Sequence, residues 1–162
     1  MDSKRIARYA LLVALAMVLS WLESLVPLSV AVPGMKLGLT NLIVLFALYR
    51  MSAADALTIS LVRVVLVSIT FGNAYAFAYS FAGAVLSFAI MLVLKKSEKF
   101  STIGVSVAGG VGHNLGQIGV AALVLETGGI FLYLPALMIS GTAAGVCIGI
   151  VGGLITERLK KI

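Results

Sequence analysis

Charged residues are scarce in this chain, and their scarcity excludes a water-soluble protein. They make up 11% of its 162 residues, whereas hydrophobic residues make up 61%. A soluble domain contains about 25% charged residues, because its surface must face water. A soluble catalytic domain is therefore excluded, and most of the apolar side chains must face either one another or lipid.

Cysteine and aspartate are almost absent as well, and each absence excludes a kind of site. Cys147 is the only cysteine, so neither an intramolecular disulfide nor a thiolate metal cluster can form. The only aspartates are Asp2 and Asp55, which do not form the carboxylate cluster that holds Mg²⁺ on a diphosphate. No Walker A sequence is present either. We therefore expect no metal, no cofactor and no enzymatic activity of the chain itself.

The apolar residues occur in six runs, which predict six transmembrane helices. A bilayer core of about 30 Å needs about 20 residues of helix. The predicted spans are residues 6–27, 37–49, 53–71, 74–94, 103–125 and 130–155, and the second is unusually short. The sequence thus predicts an all-α membrane protein, a six-helix bundle that forms a single transmembrane domain over residues 1–162.

Lysine and arginine lie mostly on one side of the predicted spans, and this bias gives the orientation. If the N-terminus is cytoplasmic, ten of the twelve basic residues fall on the cytoplasmic side, Lys36 falls outside, and Arg63 lies within span three. Cytoplasmic loops of membrane proteins carry an excess of Lys and Arg. We therefore expect a multi-pass protein of the inner (cytoplasmic) cell membrane with both termini in the cytoplasm. The net charge of +6 reflects this topology and does not indicate a nucleic-acid partner.

Glycines at four-residue spacing predict that two of the spans pack closely. Span six contains Gly141, Gly145, Gly149 and Gly153, and span five contains Gly112 and Gly116. Lipid tails are as apolar as leucine, so helices in a membrane associate through small residues that let their backbones approach. We expect the glycine face of span six to be packed against protein.

Polar side chains within or beside the spans indicate a binding site in the outer half of the bundle. Such groups are costly at membrane depth and usually face protein or a cavity. The candidate substrate-binding residues are Lys36, Asn41, Arg63, Asn73, His113, Asn114 and Gln117. Arg63 lies near the middle of span three, and His113 and Gln117 share a helix face because they are four residues apart. We expect Lys36 and Arg63 to supply positive charge to a small-molecule substrate, and the others to supply hydrogen bonds.

Structural alternatives stay open for these residues. Arg63 could bond to backbone carbonyls, and Asn41 could cap the second helix. His113, Asn114 and Gln117 could form hydrogen bonds between helices. Each alternative would remove a residue from the binding site without changing the fold.

The acidic residues are predicted to lie away from Arg63. Glu23 and Glu126 fall near the outer surface, and Asp55 lies about two turns toward the cytoplasm on the same helix as Arg63. We therefore expect no acidic partner for the Arg63 guanidinium at its own depth. This expectation favours a ligand that carries a negative charge.

Two sequence strings resemble a known family. They are PGMKLGLTN at residues 33–41 and GHNLGQ at residues 112–117. With them the chain resembles the Gx transporters, also labelled heptaprenyl diphosphate synthase component I, a family similar to the substrate-binding S components of energy-coupling-factor (ECF) transporters. The resemblance covers nearly the whole chain. It implies a substrate cavity near the outer face, under the loop between spans one and two, and residues 28–36 would form that loop.

The resemblance also implies a partner and a function. In S components a small-residue face of span one docks on a transmembrane coupling subunit, and Ala10 and Ala14 match that A-x-x-x-A pattern. The implied function is that of the substrate-binding subunit of an importer for a small vitamin-like or isoprenoid-related molecule, with a coupling subunit and an ATPase pair as partners. Two alternatives stay open. The alanines could pack inside the bundle, and the chain could be an accessory subunit in prenyl diphosphate or quinone metabolism or in membrane electron transfer.

Overall fold

The structure, a computed structural model, describes residues 3–25 and 38–159, which form six α-helices and one short 3₁₀-helix. The helices are α1 (Ser3–Ser24), α2 (Leu39–Arg50), α3 (Ala53–Phe71), α4 (Ala74–Ser97), α5 (Thr102–Val124) and α6 (Leu134–Arg158), and the 3₁₀-helix (Gly128–Tyr133) precedes α6. No strand occurs in these ranges. The predicted all-α class and the predicted number of helices are confirmed, and α3 has the predicted bounds.

Five helices in the described residues are long and apolar enough to cross a bilayer, and α2 is not. With 12 residues, α2 is shorter than any of them. Its length is about 18 Å at about 1.5 Å per residue, so it crosses only part of a hydrocarbon core of about 30 Å. The protein is therefore a multi-pass membrane protein in which one helix reaches only part-way through the bundle.

Short polar side chains cap the N-termini of α3 and α4. Ser52 Oγ accepts a hydrogen bond from the Asp55 N–H at 3.1 Å, and Asp55 Oδ2 accepts one from the Ser52 N–H at 3.2 Å. Asn73 Oδ1 accepts a hydrogen bond from the Ala76 N–H at 2.8 Å. These bonds satisfy N–H groups that have no partner within the helix. They explain why the connections before α3 and α4 need only two residues each.

Several helix ends meet at one end of the bundle, the basic end. Arg5 Nη2 of α1 forms a salt bridge of 2.6 Å with Asp55 Oδ1 of α3, and the Tyr9 hydroxyl donates to the same carboxylate. Arg50 Nη2, at the end of α2, donates to the Leu159 carbonyl just after α6 at 2.8 Å. The start of α1 and the end of α6 therefore lie together. That this end faces the cytoplasm stays a prediction.

The short α2 lies inside the bundle and contributes much of its core. Half of its residues are buried: Thr40, Ile43, Val44, Leu45, Ala47 and Leu48. They pack with Leu12 and Ala16 of α1 and with Ile59 of α3. Because α2 ends at the basic end and is short, its first turn lies near mid-depth of the bundle.

Three of the four α6 glycines at four-residue spacing are in direct contact with α5, which confirms the packing predicted for that face. Gly141, Gly145 and Gly149 each lie against the α5 backbone. A Cβ added at Gly145 would lie 2.5 Å from the Val107 Cα, so the two backbones touch there. The fourth glycine, Gly153, has open space, because a Cβ there would have its nearest neighbour at 4.0 Å.

The opposite face of α5 packs equally closely on α4. A Cβ at Gly116 would lie 2.7 Å from the Ala82 carbonyl oxygen, and one at Gly112 would lie 2.5 Å from the Ile90 Cδ1. Gly119 does not share this packing, since nothing lies within 4 Å of a Cβ there. The helix that carries His113 is thus held between α4 and α6, and its polar side chains have fixed neighbours.

Candidate functional site

A cavity lies where α2 begins, and we refer to it as the central cavity. Its lining comes from α1, α2, α3, α5 and α6 and from Gly38, the residue before α2. The polar side chains that line it are Glu23, Thr40, Asn41, Arg63, Ser106, His113 and Asn114. Among the described residues, α2 begins beside this space, with Thr40 and Asn41 of its first turn in the lining. The structure thus brings together four of the predicted binding residues: Asn41, Arg63, His113 and Asn114.

Arg63 is the charged group most deeply placed in the cavity. It lies near the middle of α3 and is only 7% exposed. Its Nε has no hydrogen-bond partner among the described residues. A buried charge is costly unless it is paired and hydrogen-bonded. The buried Nε–H therefore lacks an acceptor, and a molecule could supply one if the cavity widened enough to expose this atom.

Glu23 lies near the end of α1 away from the basic end, as predicted, but it also lines the same cavity as Arg63. The residue is half-buried near the end of α1, and its carboxylate accepts a hydrogen bond from the Gly38 N–H. Its negative charge acts on the Arg63 guanidinium. The position of a residue along its own helix indicates its depth but not which residue of another helix it meets. Arg63 thus has an acidic neighbour, contrary to the prediction.

Gly38 allows the chain to enter α2 beside this carboxylate. Its φ of +69° lies in the left-handed region, which glycine adopts without the strain that other residues incur. The residue directs its N–H to Glu23 and begins the helix that carries Asn41. The glycine in the LGLTN part of the sequence string therefore has a defined structural role at the edge of the cavity.

Asn114 both lines the cavity and joins two helices. It is buried, and its Nδ2 donates a hydrogen bond of 2.6 Å to the Leu137 carbonyl of α6. Asn114 therefore forms the hydrogen bond between helices that was predicted as its alternative role. Because this bond uses one of the two amide N–H groups, Asn114 can offer a ligand the other N–H and its carbonyl oxygen.

Two predicted binding residues, Asn73 and Gln117, do not line the central cavity, and the position of a third, Lys36, is not described. Asn73 is exposed and caps α4. Gln117 packs its side chain beside Gly83 of α4, as His113 does one turn earlier, so the shared face is confirmed, but Gln117 lines a different cavity. Lys36 lies outside the described residues, as does the predicted loop at 28–36. In the GHNLGQ string, His113 and Asn114 therefore line the cavity with Arg63, whereas Gln117, one turn later on α5, does not.

Sequence reasoning missed three polar side chains that line the cavity: Glu23, Thr40 and Ser106. Thr40 lies beside Asn41 in the sequence string, and Ser106 lies seven residues before His113, which places it on nearly the same face of α5. Their positions in the sequence could therefore have identified both residues. Glu23 carried a weaker signal, as a lone acid near the end of an apolar run.

The central cavity is narrow in this structure. Its volume is about 30 Å³, whereas pockets for drug-sized ligands measure about 300–1,000 Å³. A space of this size holds water, which needs roughly 10–15 Å³. The described residues therefore form a closed polar cavity that would have to widen before it could hold a vitamin-sized molecule.

The two alanines of α1 lie at the surface of the bundle. Ala10 and Ala14 are both exposed, next to Leu11, which is 61% exposed. The alternative that they pack inside the bundle is therefore wrong for this chain alone. The surface they form contacts lipid or another protein.

Comparison with known families agrees with the predicted resemblance. The family model described as heptaprenyl diphosphate synthase component I matches residues 12–155. The chain belongs to this family. The match spans every described residue that lines the central cavity. Searches of the curated proteins and of the solved structures found no match.

Proposed function

We propose that this family member is the substrate-binding subunit of an ECF-type importer in the cytoplasmic membrane. It binds a small molecule in the central cavity and passes it across the membrane together with a coupling subunit and an ATPase pair. The observation that carries the proposal is Arg63, a buried cation whose Nε lacks an acceptor among the described residues. A charged group inside a membrane helix commonly marks a substrate path.

The ligand is one that supplies a hydrogen-bond acceptor to Arg63. The cavity already contains the Glu23 carboxylate, so the charges of its described residues nearly balance. A full negative charge on the ligand is therefore not required. Asn41 and His113 stand beside Arg63 and supply further directional bonds. A polar, vitamin-like molecule or the polar end of an isoprenoid-related one has the chemistry that this set recognises.

Binding requires that the cavity widen, and the bond between Glu23 and Gly38 is the contact that widening breaks first. This bond joins the end of α1 to the start of α2, on either side of the segment 26–37. Separation of these two helix ends opens the cavity toward the side away from the basic end. Lys36 belongs to that segment, outside the described residues, and the second positive charge expected from it stays a prediction.

The partner surface is the face of α1 that carries Ala10 and Ala14. Small residues allow two helix backbones to approach closely, which is how helices associate in lipid. Both alanines are exposed on the isolated chain, so a helix of a coupling subunit can reach them. The energy for transport comes from the ATPases, because the chain carries no Walker A sequence of its own.

The family's description favours a second candidate function, that of an accessory subunit in prenyl diphosphate or quinone metabolism. In that case too the chain is not the catalytic subunit. Asp55 is the one aspartate among the described residues, and its carboxylate is already bonded to Arg5 and Tyr9 at the basic end. A Mg²⁺-diphosphate centre needs several free carboxylate oxygens. An accessory subunit would act by holding a partner enzyme or a prenylated molecule.

The test is to purify the parent and Arg63→Gln in mild detergent and to identify the small molecules that remain bound by mass spectrometry. The parent is expected to retain a molecule that Arg63→Gln loses by a factor of about ten or more, the effect of about 1.4 kcal/mol or more of lost interaction. Glu23→Gln and the double variant with Arg63→Gln are the matched controls. The double variant removes both charges, so any loss of binding that it shares with Arg63→Gln is not a consequence of an unpaired Glu23.

Two outcomes would contradict the proposal. If Arg63→Gln retains the molecule but melts much earlier than the parent, Arg63 is structural. If the parent co-purifies from its native membrane with a prenyl synthase and not with an ATPase pair, the accessory function is correct. Co-purification of a coupling subunit with two ATPases is the expected result.

A further inference from the structure

A second cavity lies between α4, α5, the 3₁₀-helix and α6, and we refer to it as the lateral cavity. Its volume is about 170 Å³. The residues that line it include Tyr79, Gln117, Ile118, Leu125, Ile130 and Leu137. All of these except Tyr79 and Gln117 are apolar. The lateral cavity is therefore much larger than the central cavity and far less polar.

Gln117 is the polar group in this cavity that lacks a partner. The residue is only 8% exposed, and its Oε1 accepts no hydrogen bond from any part of the chain that the structure describes. Most buried side-chain polar atoms in proteins have a hydrogen-bond partner, because leaving one unsatisfied is costly. The oxygen is itself almost fully buried, so a donor on a bound molecule would satisfy it once the amide turns toward the cavity.

The lateral cavity is distinct from the central cavity. Asn114 lines the central cavity, and its side chain donates to the carbonyl of Leu137, which lines the lateral cavity. This hydrogen bond lies between the two spaces. Gln117 does not line the central cavity, and neither Arg63 nor Glu23 lines the lateral one.

The size and position of the lateral cavity define what it can hold. An apolar cavity of about 150 Å³ inside a protein is large enough to bind benzene, so a volume of about 170 Å³ accommodates one six-membered ring with a small substituent. Leu125 lines the cavity and is 57% exposed, so the cavity reaches the surface near the end of α5. A molecule dissolved in lipid can therefore enter it.

We propose that the lateral cavity is a binding site for a ring-sized apolar molecule that bears one hydrogen-bond donor. The ring packs among Ile118, Ile130 and Leu137, and its hydroxyl or N–H donates to Gln117 Oε1. The site does not depend on the function proposed for the central cavity.

The test compares two fluorinated probes of nearly equal shape, 4-fluorophenol and 4-fluorotoluene, by ¹⁹F NMR with the protein in lipid nanodiscs. Only the phenol has a donor. Both probes dissolve in lipid, so binding is measured as the difference from empty nanodiscs. We expect the phenol to bind about three- to tenfold more tightly than the toluene, the effect of one net hydrogen bond.

Two variants locate the site. Gln117→Met keeps the length of the side chain and its Cγ beside Gly83 but removes the acceptor, so both probes should bind it equally. Ala121→Phe places a ring in the lateral cavity, which Ala121 also lines, and should abolish binding of both probes. Arg63→Gln, which alters only the central cavity, should bind both as the parent does.

Three results would overturn the inference. The first is equal binding of phenol and toluene to the parent, which would make the cavity a space for lipid chains alone. The second is a preference for phenol that survives in Gln117→Met. The third is binding that survives in Ala121→Phe. A melting curve for each variant ensures that a loss of binding is not a loss of folding.

Discussion

A methyl group at Gly145 tests whether contact between helix backbones holds this bundle together. The Cβ of Gly145→Ala would lie 2.5 Å from the Val107 Cα and 3.0 Å from the Ser106 carbonyl oxygen. Carbon atoms that are not bonded prefer about 3.5–4.0 Å. The obstacle is backbone, which cannot rotate aside as a side chain can. Helices α5 and α6 must therefore separate by roughly 1 Å at this point.

The expected magnitude follows from two opposing terms. Overpacking a tight interior costs about 1–3 kcal/mol. Alanine is favoured over glycine inside a helix by roughly 0.5–1 kcal/mol, which partly offsets that cost. Gly153→Ala is the matched control, because Gly153 lies on the same face of the same helix with nothing nearer than 4.0 Å. The preference of the helix for alanine over glycine is the same in both variants. The difference between their free energies of unfolding is therefore the cost of overpacking, about 1–3 kcal/mol.

The assay is equilibrium unfolding in mixed micelles, followed by loss of helical circular dichroism as the denaturing detergent increases. Gly145→Ala should unfold at a lower detergent fraction than the parent, and Gly153→Ala at an equal or higher one. If the detergent fraction at unfolding shifts in the same direction and by the same amount in both variants, the methyl group at Gly145 does not disturb the contact between α5 and α6. The packing argument would then be wrong.

Two further predictions concern the orientation and the partner surface. In a Cys147→Ala background, a membrane-impermeant maleimide added to intact cells should label Gly128→Cys but not Ser97→Cys, because Ser97 ends α4 at the basic end. Labelling of Ser97→Cys would contradict a cytoplasmic basic end. Ala10→Trp and Ala14→Trp should leave folding and ligand binding unchanged but abolish transport, because both alanines are exposed. Loss of folding in either variant would show that this face of α1 is needed by the chain itself.

The helices could be predicted closely because their signals are local. Polar caps at Ser52 and Asn73 follow one apolar run and begin the next, so α3 has the predicted bounds and α4 begins where it was predicted. The last span is less accurate. It starts as a 3₁₀-helix, and α6 begins only at Leu134, beside Pro135 in its first turn. Proline favours that position because its missing N–H has no partner there in any case.

The binding site could be predicted in part, because a polar residue inside an apolar run is conspicuous. Asn41, Arg63 and His113 were found in this way, and the structure places them together. The same rule does not say which helix a side chain faces, so it also selected Gln117, which lines the lateral cavity. That Glu23 lines the cavity with Arg63 was missed for the same reason. Its neighbour is set by how α1 packs on α2 and α3, and no local pattern encodes that packing.

The presence of Glu23 changes what the central cavity can select. An arginine alone at mid-membrane would favour any anion, since removing its charge from water is costly. Glu23, which lines the same cavity, opposes part of the Arg63 charge, and its own charge repels a second anion. One hydrogen-bonding group remains without a partner among the described residues, the Nε of Arg63. Asn41 and His113 line the same cavity. Selection then depends on the geometry of the ligand's acceptor, because charge is already nearly balanced. Under the proposed function, such a site would reject abundant small anions and still bind a polar molecule that fits.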